Sequence, residues 1–471
     1  MNIKSLINLL DFRHHKPELK KSFYFNLFLG LCMMLFFVFT RNTSVQQDAI
    51  NWCFDEYIKL RAGSESETTK IANELIFLDF NNNSLKELNR PYSIPRNTIA
   101  DLVNFAYEGG AKIIIIDMAF NESDYSPEKN FDNNLNGEAS DKILYDLLKK
   151  IHDNPSTDTK ILLPCITYRD TTEMKNIFAE FIDGKNIYAV TPNFTEHSVT
   201  NYARFWLPYY KTRNANTENL LWSIPLMTMA LTVGNVEDLN SLKEKILNDS
   251  NNELDSYSLK VNRNGTEKDF FIYEEQSQSD TLFRDSRSNQ YNRIQYTLIP
   301  PDPSTMLGGN ILPKNIGHWS KNKFEYNTID CKDKIVIIGR ADDDCGDWHT
   351  TPVGIMPGMY VHGNAIATVL SSTQPHLCSI EKYLAIEILL IVIAAYVFLN
   401  LKGLKPRIMI AVMIGLCWAV TYLWFCETNE FIFLTLSFTS IGVYNISRMV
   451  ENYFLKGITS SIKVIARKWR N

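Results

Sequence analysis

The chain has 471 residues, of which 45% are hydrophobic, 12% aromatic and 21% charged. That length accommodates two or three domains of about 150 residues each. The composition is too apolar for a disordered chain and too varied for a fibrous one. The formal net charge of -5 is small only because two regions of opposite charge cancel.

Four apolar segments are long enough to cross a hydrocarbon layer of about 30 Å. They are residues 23–40, 384–401, 408–426 and 431–446. The first segment is longer than the apolar core of a signal peptide, which has about 7–15 residues, and no small-residue cleavage site follows it. We therefore predict one uncleaved transmembrane helix before the outer region and three after it.

Basic residues around these segments predict the orientation of the chain. Lysine and arginine are concentrated in residues 1–22, 402–407 and 447–471, whereas the 427–430 loop has neither. The positive-inside rule then places both termini in the cytoplasm and residues 41–383 outside. We expect a multi-pass protein of the bacterial inner membrane with a periplasmic domain. This domain carries a net charge of -13, which argues against nucleic-acid binding and permits cationic ligands.

The outer region alternates strand-like and helix-like segments. The apolar run LIFLDF (75–80) precedes an amphipathic helix at 97–110, and the β-branched run KIIIIDMAF (112–120) follows it. Strand, helix and strand within about 45 residues predict a right-handed βαβ unit with parallel strands. The pattern returns at 140–166 and at 334–372. We predict one α/β domain with a largely parallel sheet.

Several motifs in this region resemble one known family. They are LDF (78–80), PYSIPR (91–96), GGAK (109–112), IIIIDMAF (113–120), KIVIIG (334–339), Asp347, Thr351-Pro352 and PGMYVHGNAIATVL (357–370). Together they resemble the type-two CHASE domain, the extracytoplasmic sensory module of cyclases, histidine kinases and Ser/Thr kinases. The resemblance covers roughly residues 45–446 and includes the arrangement of one span before the domain and three after it. It implies a sensory role.

The segment after the last predicted span departs from those sensor enzymes. Only 25 residues follow it, too few for a cyclase or kinase domain. We therefore expect no enzyme activity in the chain itself and a separate cytoplasmic effector protein. The tail has a basic amphipathic pattern that suits either the membrane surface or a protein partner. Its candidate contact residues are Lys463, Arg467, Lys468, Trp469 and Arg470.

Five residues are candidates for a ligand site in the outer domain. Asp79 and Asp117 end two strands predicted to be parallel, so we expect their carboxylates to approach each other. Arg96 would neutralise them, and His362 and Asn364 would face the same crevice. In the alternative interpretation, Arg96 and the aspartates form a structural ion-pair network and His362 is a core histidine.

An acidic loop after the KIVIIG strand is a candidate metal site. Asp342, Asp344, Asp347 and His349 supply the ligand types that a divalent cation would use. The alternative is a solvated acidic turn. No other cofactor is predicted.

The sequence as a whole favours a membrane-anchored sensor that passes a signal through its spans to the separate effector. We expect it to form a homo-oligomer among membrane lipids. Two other classes stay open, namely a membrane effector or pore-forming scaffold subunit, and an anchored hydrolase that uses Asp79, Asp117 or the 342–349 cluster.

Overall fold

The computed structural model of this chain divides into two compact units. The terminal unit comprises residues up to 54 and from 377 onward, and the central unit comprises residues 55–376 apart from 281–283. The structure describes residues 17–40, 43–62, 64, 66–89, 93–120, 137–165, 176–182, 184–196, 203–214, 217–248, 256–263, 266–273, 292–298, 315–321, 328–372, 374–400 and 405–434.

The described helices alternate with strands through most of the chain. They are α1 (Pro17–Thr40), α2 (Ser44–Arg61), α3 (Glu67–Ala72), α4 (Asn82–Glu87), α5 (Arg96–Glu108), α6 (Gly137–His152), α7 (Ile224–Val233), α8 (Val236–Asn248), α9 (Gly358–Ser371), α10 (Ile380–Asn400) and α11 (Lys405–Thr428).

The described strands fall mostly in the central unit. They are β1 (Ile76–Phe80), β2 (Ile113–Asp117), β3 (Lys160–Pro164), β4 (Ile187–Val190), β5 (Phe194–Glu196), β6 (Ala203–Trp206), β7 (Tyr209–Asn214), β8 (Thr217–Trp222), β9 (Ser256–Arg263), β10 (Thr266–Tyr273), β11 (Ile316–His318), β12 (Ile335–Arg340), β13 (Trp348–Thr351), β14 (Gly354–Pro357), β15 (His376–Leu377) and β16 (Glu430–Phe431).

A six-stranded sheet forms the centre of the central unit, and its strand order is β11-β1-β12-β2-β3-β4. Every neighbouring pair in it is parallel, which confirms the predicted α/β fold and its parallel sheet. The predicted βαβ unit is parallel as expected, but its two strands are not neighbours because β12 lies between them. Register aligns Gly339 of β12 with Asp79 on one side and Asp117 on the other.

The central strands are buried on both faces, as their continuous β-branched runs predict. On one face, Ile114 and Ile338 belong to an apolar core that includes Leu102 of α5 and Leu144 of α6. On the other face lies α9, which carries Tyr360 with its ring 4.9 Å from that of Phe77. This burial of apolar side chains stabilises the sheet by about 25 cal/mol for each Å² removed from water.

A buried ionic triad also belongs to the central unit. Asp55 accepts hydrogen bonds from Arg204 at 2.8 Å and from Arg293 at 3.0 Å. All three side chains are at most 9% exposed. Burial lowers the pKa of Arg293 to about 10 although Asp55 acts in the opposite direction.

The terminal unit contains helices with apolar surfaces on most sides. Met34 of α1 clusters with Leu390, Ile391 and Ala394 of α10. Two described helices contain stretches long and apolar enough to cross a membrane, Phe23–Thr40 and Ala411–Thr428.

These two stretches match the first and third predicted spans, so the prediction of four transmembrane helices is confirmed only in part. The second predicted span, 384–401, is helical through residue 400. The fourth begins differently from the prediction, since Phe431 ends a short strand and its carbonyl accepts a hydrogen bond from the Cys378 amide at 2.9 Å. Residues 435–446 of that span lie outside the described residues.

Candidate functional site

A cavity of about 550 Å³ opens at the carboxyl ends of β2, β3 and β12 in the central unit. In parallel α/β sheets this edge is where ligands usually bind, because loops diverge there above a rigid scaffold. The charged and aromatic side chains that line it are Arg96, Asp117, Phe194, Arg340, Asp347, His349 and His362.

Asp117 is the last residue of β2, and its side chain is 9% exposed. Its carboxylate makes no hydrogen bond to any residue that the structure describes, and the nearest basic atom is His362 Nε2, 3.6 Å from Oδ1. Burial raises the pKa of Asp117 well above its usual value, and the nearby carboxylate of Asp347 raises it further, against a lowering by His349. The cavity therefore contains a carboxyl group that lacks a strong partner for its charged form.

His362 lies on α9 with a side chain only 2% exposed. Its ring centroid is 4.2 Å from that of Phe194. Burial lowers the pKa of His362 to about 3, although Asp347 and the Pro192 carbonyl act in the opposite direction. The imidazole is therefore neutral at ordinary pH and does not neutralise an ionised Asp117.

The predicted metal loop divides into two parts with different surroundings. Asp342 is fully buried and accepts two hydrogen bonds from the Arg340 guanidinium, each 2.8 Å long, and one from the Asp344 amide at 3.0 Å. Asp347 instead reaches the cavity rim, where its Oδ1 lies 2.8 Å from His349 Nε2.

The side chains predicted to bind a cation are thus directed to different partners. Asp342 is held by Arg340, Asp344 is exposed, and only Asp347 and His349 line the cavity. Across the described parts of the chain, no group of three or more His, Cys, Asp or Glu side chains is arranged to hold a metal ion. The expected four-residue divalent site is wrong in this geometry, because Arg340 already satisfies the central carboxylate.

The expected approach of Asp79 to Asp117 is also wrong, because strand β12 separates them. Adjacent strands lie about 4.8 Å apart, so one intervening strand roughly doubles the spacing. Asp79 is 1% exposed and is engaged elsewhere: it lies within hydrogen-bond distance of His318 and accepts a hydrogen bond from the Tyr360 hydroxyl at 3.0 Å. It does not line the cavity.

Arg96 lines the cavity, as predicted, but its partners differ from those expected. Its guanidinium lies 4.8 Å from the centre of the Phe120 ring and donates a hydrogen bond to the Ala119 carbonyl at 3.3 Å. Among the described residues it pairs with the carboxylate of Asp141, which lies 3.8 Å from Nε. Neither Asp79 nor Asp117 forms a described ion pair with Arg96.

Asn364 was predicted to face the crevice and does not. It is fully buried, accepts hydrogen bonds from the amides of Thr297 and Leu298 at 2.8 and 2.9 Å, and donates to the Tyr360 carbonyl at 2.9 Å. Its role is to fix the extended segment 294–298 against α9.

Two of the charged and aromatic lining residues, Arg340 and Phe194, are not among the candidates from the sequence. Arg340 directly follows the buried KIVIIG strand, and its position at a strand end is a signal that could have identified it. Phe194 lies beyond Pro192 in a region without clear periodicity, so no sequence signal identified it. The five tail candidates from Lys463 to Arg470 lie outside the described residues.

The parallel sheet and the polar cavity at its carboxyl edge define an α/β domain with a site suited to a small ligand. The CHASE2 domain model matches residues 31–398. The chain therefore belongs to the CHASE2 domain family, whose members are extracytoplasmic sensory domains, and the resemblance seen in the motifs is confirmed. No curated protein and no solved structure gives a match.

Proposed function

We propose that this protein is a membrane-anchored sensor that binds a small ligand outside the cell membrane and reports it to a separate cytoplasmic effector. The observation that carries the proposal is the cavity of a sensory-family domain in which Asp117 is desolvated and has no hydrogen bond among the described residues. Such a carboxyl group is costly to bury, so its presence favours a binding role over a purely structural one.

The proposed signal path starts at α9, which carries His362 in the cavity wall and is followed along the chain by α10. A ligand that binds one arrangement of α9 more tightly than another shifts the equilibrium between them. In this proposal four spans anchor a homo-oligomer in the bacterial inner membrane, with both termini cytoplasmic and residues 41–383 periplasmic.

We assign the signalling output to a separate protein and not to an enzymatic reaction catalysed by this chain. The hydrolase alternative uses Asp79, Asp117 or the 342–349 cluster. Asp79 and Asp117 are separated by β12, and Asp342 of the cluster is held by Arg340. The basic tail at 447–471 is the proposed contact with the effector or with the inner membrane surface.

Affinity purification of the full chain from its host membranes in mild detergent, followed by mass spectrometry, tests the proposal. A cytoplasmic signalling enzyme is expected in stoichiometric amount with the wild-type chain. Deletion of residues 455–471 is expected to remove that enzyme, whereas Asp146→Asn on the exposed face of α6 is expected to retain it.

An intact complex after the deletion would contradict the role of the tail. A pure homo-oligomer that makes liposomes leak ions would instead support the pore alternative.

A further inference from the structure

The arginines around the cavity have carboxylate partners, whereas two of the cavity carboxylates have no arginine or lysine partner among the described residues. Arg340 is paired with buried Asp342, and Arg96 lies beside Asp141. Asp117 and Asp347, by contrast, have no lysine or arginine within salt-bridge distance in the described part of the chain; their basic neighbours are the imidazoles of His362 and His349. The cavity thus presents two carboxylates whose charge the surrounding arginines do not neutralise.

Of these two carboxylates, that of Asp117 is the better candidate for direct contact with a ligand. Its side chain is 9% exposed and lines the cavity, and its carboxylate lacks a hydrogen bond from any described residue. Polar groups that are largely buried are almost always hydrogen-bonded, so this side chain has hydrogen-bonding capacity left for a ligand. A ligand with charged N–H donors would satisfy it, whereas an anion would add repulsion from Asp347.

The rest of the wall suits an organic ligand better than a bare metal ion. The Phe194 ring centroid lies 4.2 Å from that of His362 and 5.5 Å from that of His349, and Met118 and Pro164 add apolar surface. A volume of about 550 Å³ falls within the range of about 300–1,000 Å³ found for small-molecule sites.

We propose that the cavity binds a small organic amine in its protonated form, with the ammonium group donating hydrogen bonds to Asp117 and Asp347 and the carbon skeleton packing on Phe194. This inference rests on the proposed sensory function and names the ligand class of the same site. Primary amines are favoured over quaternary ammonium ions, because the carboxylates need N–H donors.

Isothermal titration calorimetry on the purified full chain in detergent tests this ligand class. The probes are butylamine, butane-1,4-diamine and ethanolamine, compared with butan-1-ol, butyrate and butyltrimethylammonium. At least one primary amine is expected to bind saturably at millimolar concentration or below, and the alcohol and the anion are not.

Variants locate the site. Loss of a charge-assisted hydrogen bond in Asp117→Asn is expected to weaken amine binding by about tenfold or more. Asp347→Asn, at a rim position where the side chain is 53% exposed and folding is not at risk, is expected to weaken it by a smaller factor. The matched control Asp146→Asn, an exposed acid on α6, is expected to leave it unchanged. Circular dichroism and gel filtration establish that each variant is folded.

Binding of butyrate in place of the amines, absence of any amine binding, or amine binding that survives both cavity variants would each overturn the inference. The effector is absent from this measurement. A negative result would therefore reject the ligand class and leave the copurification test of the sensor unaffected. Conversely, failure to find an effector complex would not contradict amine binding.

Discussion

Nε2 of His362 lies 3.6 Å from Oδ1 of Asp117, and both side chains are at least nine-tenths buried. Burial raises the pKa of Asp117 and lowers that of His362 to about 3, so it favours the neutral form of each group. The two therefore do not form the ion pair that their proximity would suggest. A proton and a cationic ligand instead compete for the same carboxylate.

Stability is expected to depend on pH through Asp117. Because its folded-state pKa is raised, its contribution is fully present below the unfolded pKa of 3.8 and is lost as the pH rises through the folded value. His362 acts with the opposite sign, since its lowered pKa removes stability as the pH falls below about 6.5. In Asp117→Asn, the loss of stability with rising pH is expected to disappear, and the loss of stability with falling pH, which is due to His362, is expected to remain.

Urea unfolding of the ligand-free protein at several pH values measures both effects. Other groups facing this pair are Arg96, Arg340, Asp347 and His349, so the difference between wild type and variant isolates Asp117. Identical pH profiles for the two proteins would contradict the assignment.

Asp55→Asn is expected to destabilise the central unit by about 3–5 kcal/mol, because it removes the buried carboxylate that both guanidinium groups contact. The matched control Asp146→Asn removes an exposed pair with Lys142 and is expected to cost at most about 0.5 kcal/mol. Urea denaturation measures both. A similar loss in the two variants would show that the triad is not the structural unit described.

Asn364→Ala is expected to cost about 3 kcal/mol, since it removes hydrogen bonds to Thr297 and Leu298 inside the core. Its effect is expected on unfolding and not on the amine affinity of the folded fraction. Asn82→Ala, which removes an exposed contact to Asp343, serves as control with a change within about 0.5 kcal/mol. If Asn364→Ala lowers the amine affinity without lowering stability, Asn364 belongs to the ligand site after all.

Gly339→Ala tests the close packing between β12 and α9. A Cβ atom there would lie 2.9 Å from Met359 Cβ and 3.1 Å from its Sδ, so overpacking is expected to cost about 1–3 kcal/mol. Met359→Ala removes Sδ and retains Cβ, so in a double-mutant cycle the Gly339→Ala change should cost less, by the part due to Sδ, when Met359 is already alanine. Additive effects of the two substitutions would argue against the contact with Sδ.

The fourth span can be tested by the side on which the C-terminus lies. With four crossings, a fluorescent protein that matures only in the cytoplasm is expected to fluoresce when fused after Asn471, and alkaline phosphatase is expected to be active when fused after Ser372. If residues 431–446 do not cross, the C-terminal fusion is dark and a phosphatase fused there is active.

The sequence predicted the local elements well because their signals are local. Four consecutive isoleucines, Ile113–Ile116, indicate a buried parallel strand, and the strand is present with all four fully buried. Asp117, His362 and Arg96 were expected near one crevice and do line one cavity.

Strand order was the information that local patterns could not supply. Nothing in β1 or β2 indicates that β12, far along the chain, inserts between them, and the mistaken contact between Asp79 and Asp117 follows from that single omission. The metal site predicted in the acidic loop is wrong for a similar reason, since a run of aspartates does not reveal that Arg340 forms an ion pair with Asp342.

The insertion of β12 also has a consequence for biogenesis. Strand β2 ends at Asp117 and β12 begins at Ile335, so β1 and β2 leave the ribosome long before the strand that joins them. Until then both strands expose edges that can pair with other chains, and closure over such a separation is slow. The newly made domain is therefore most exposed to aggregation and proteolysis before β12 is made. Prematurely terminated chains would contain β1 to β4 but would lack the strand that joins β1 to β2 and the residues that follow it in the cavity wall.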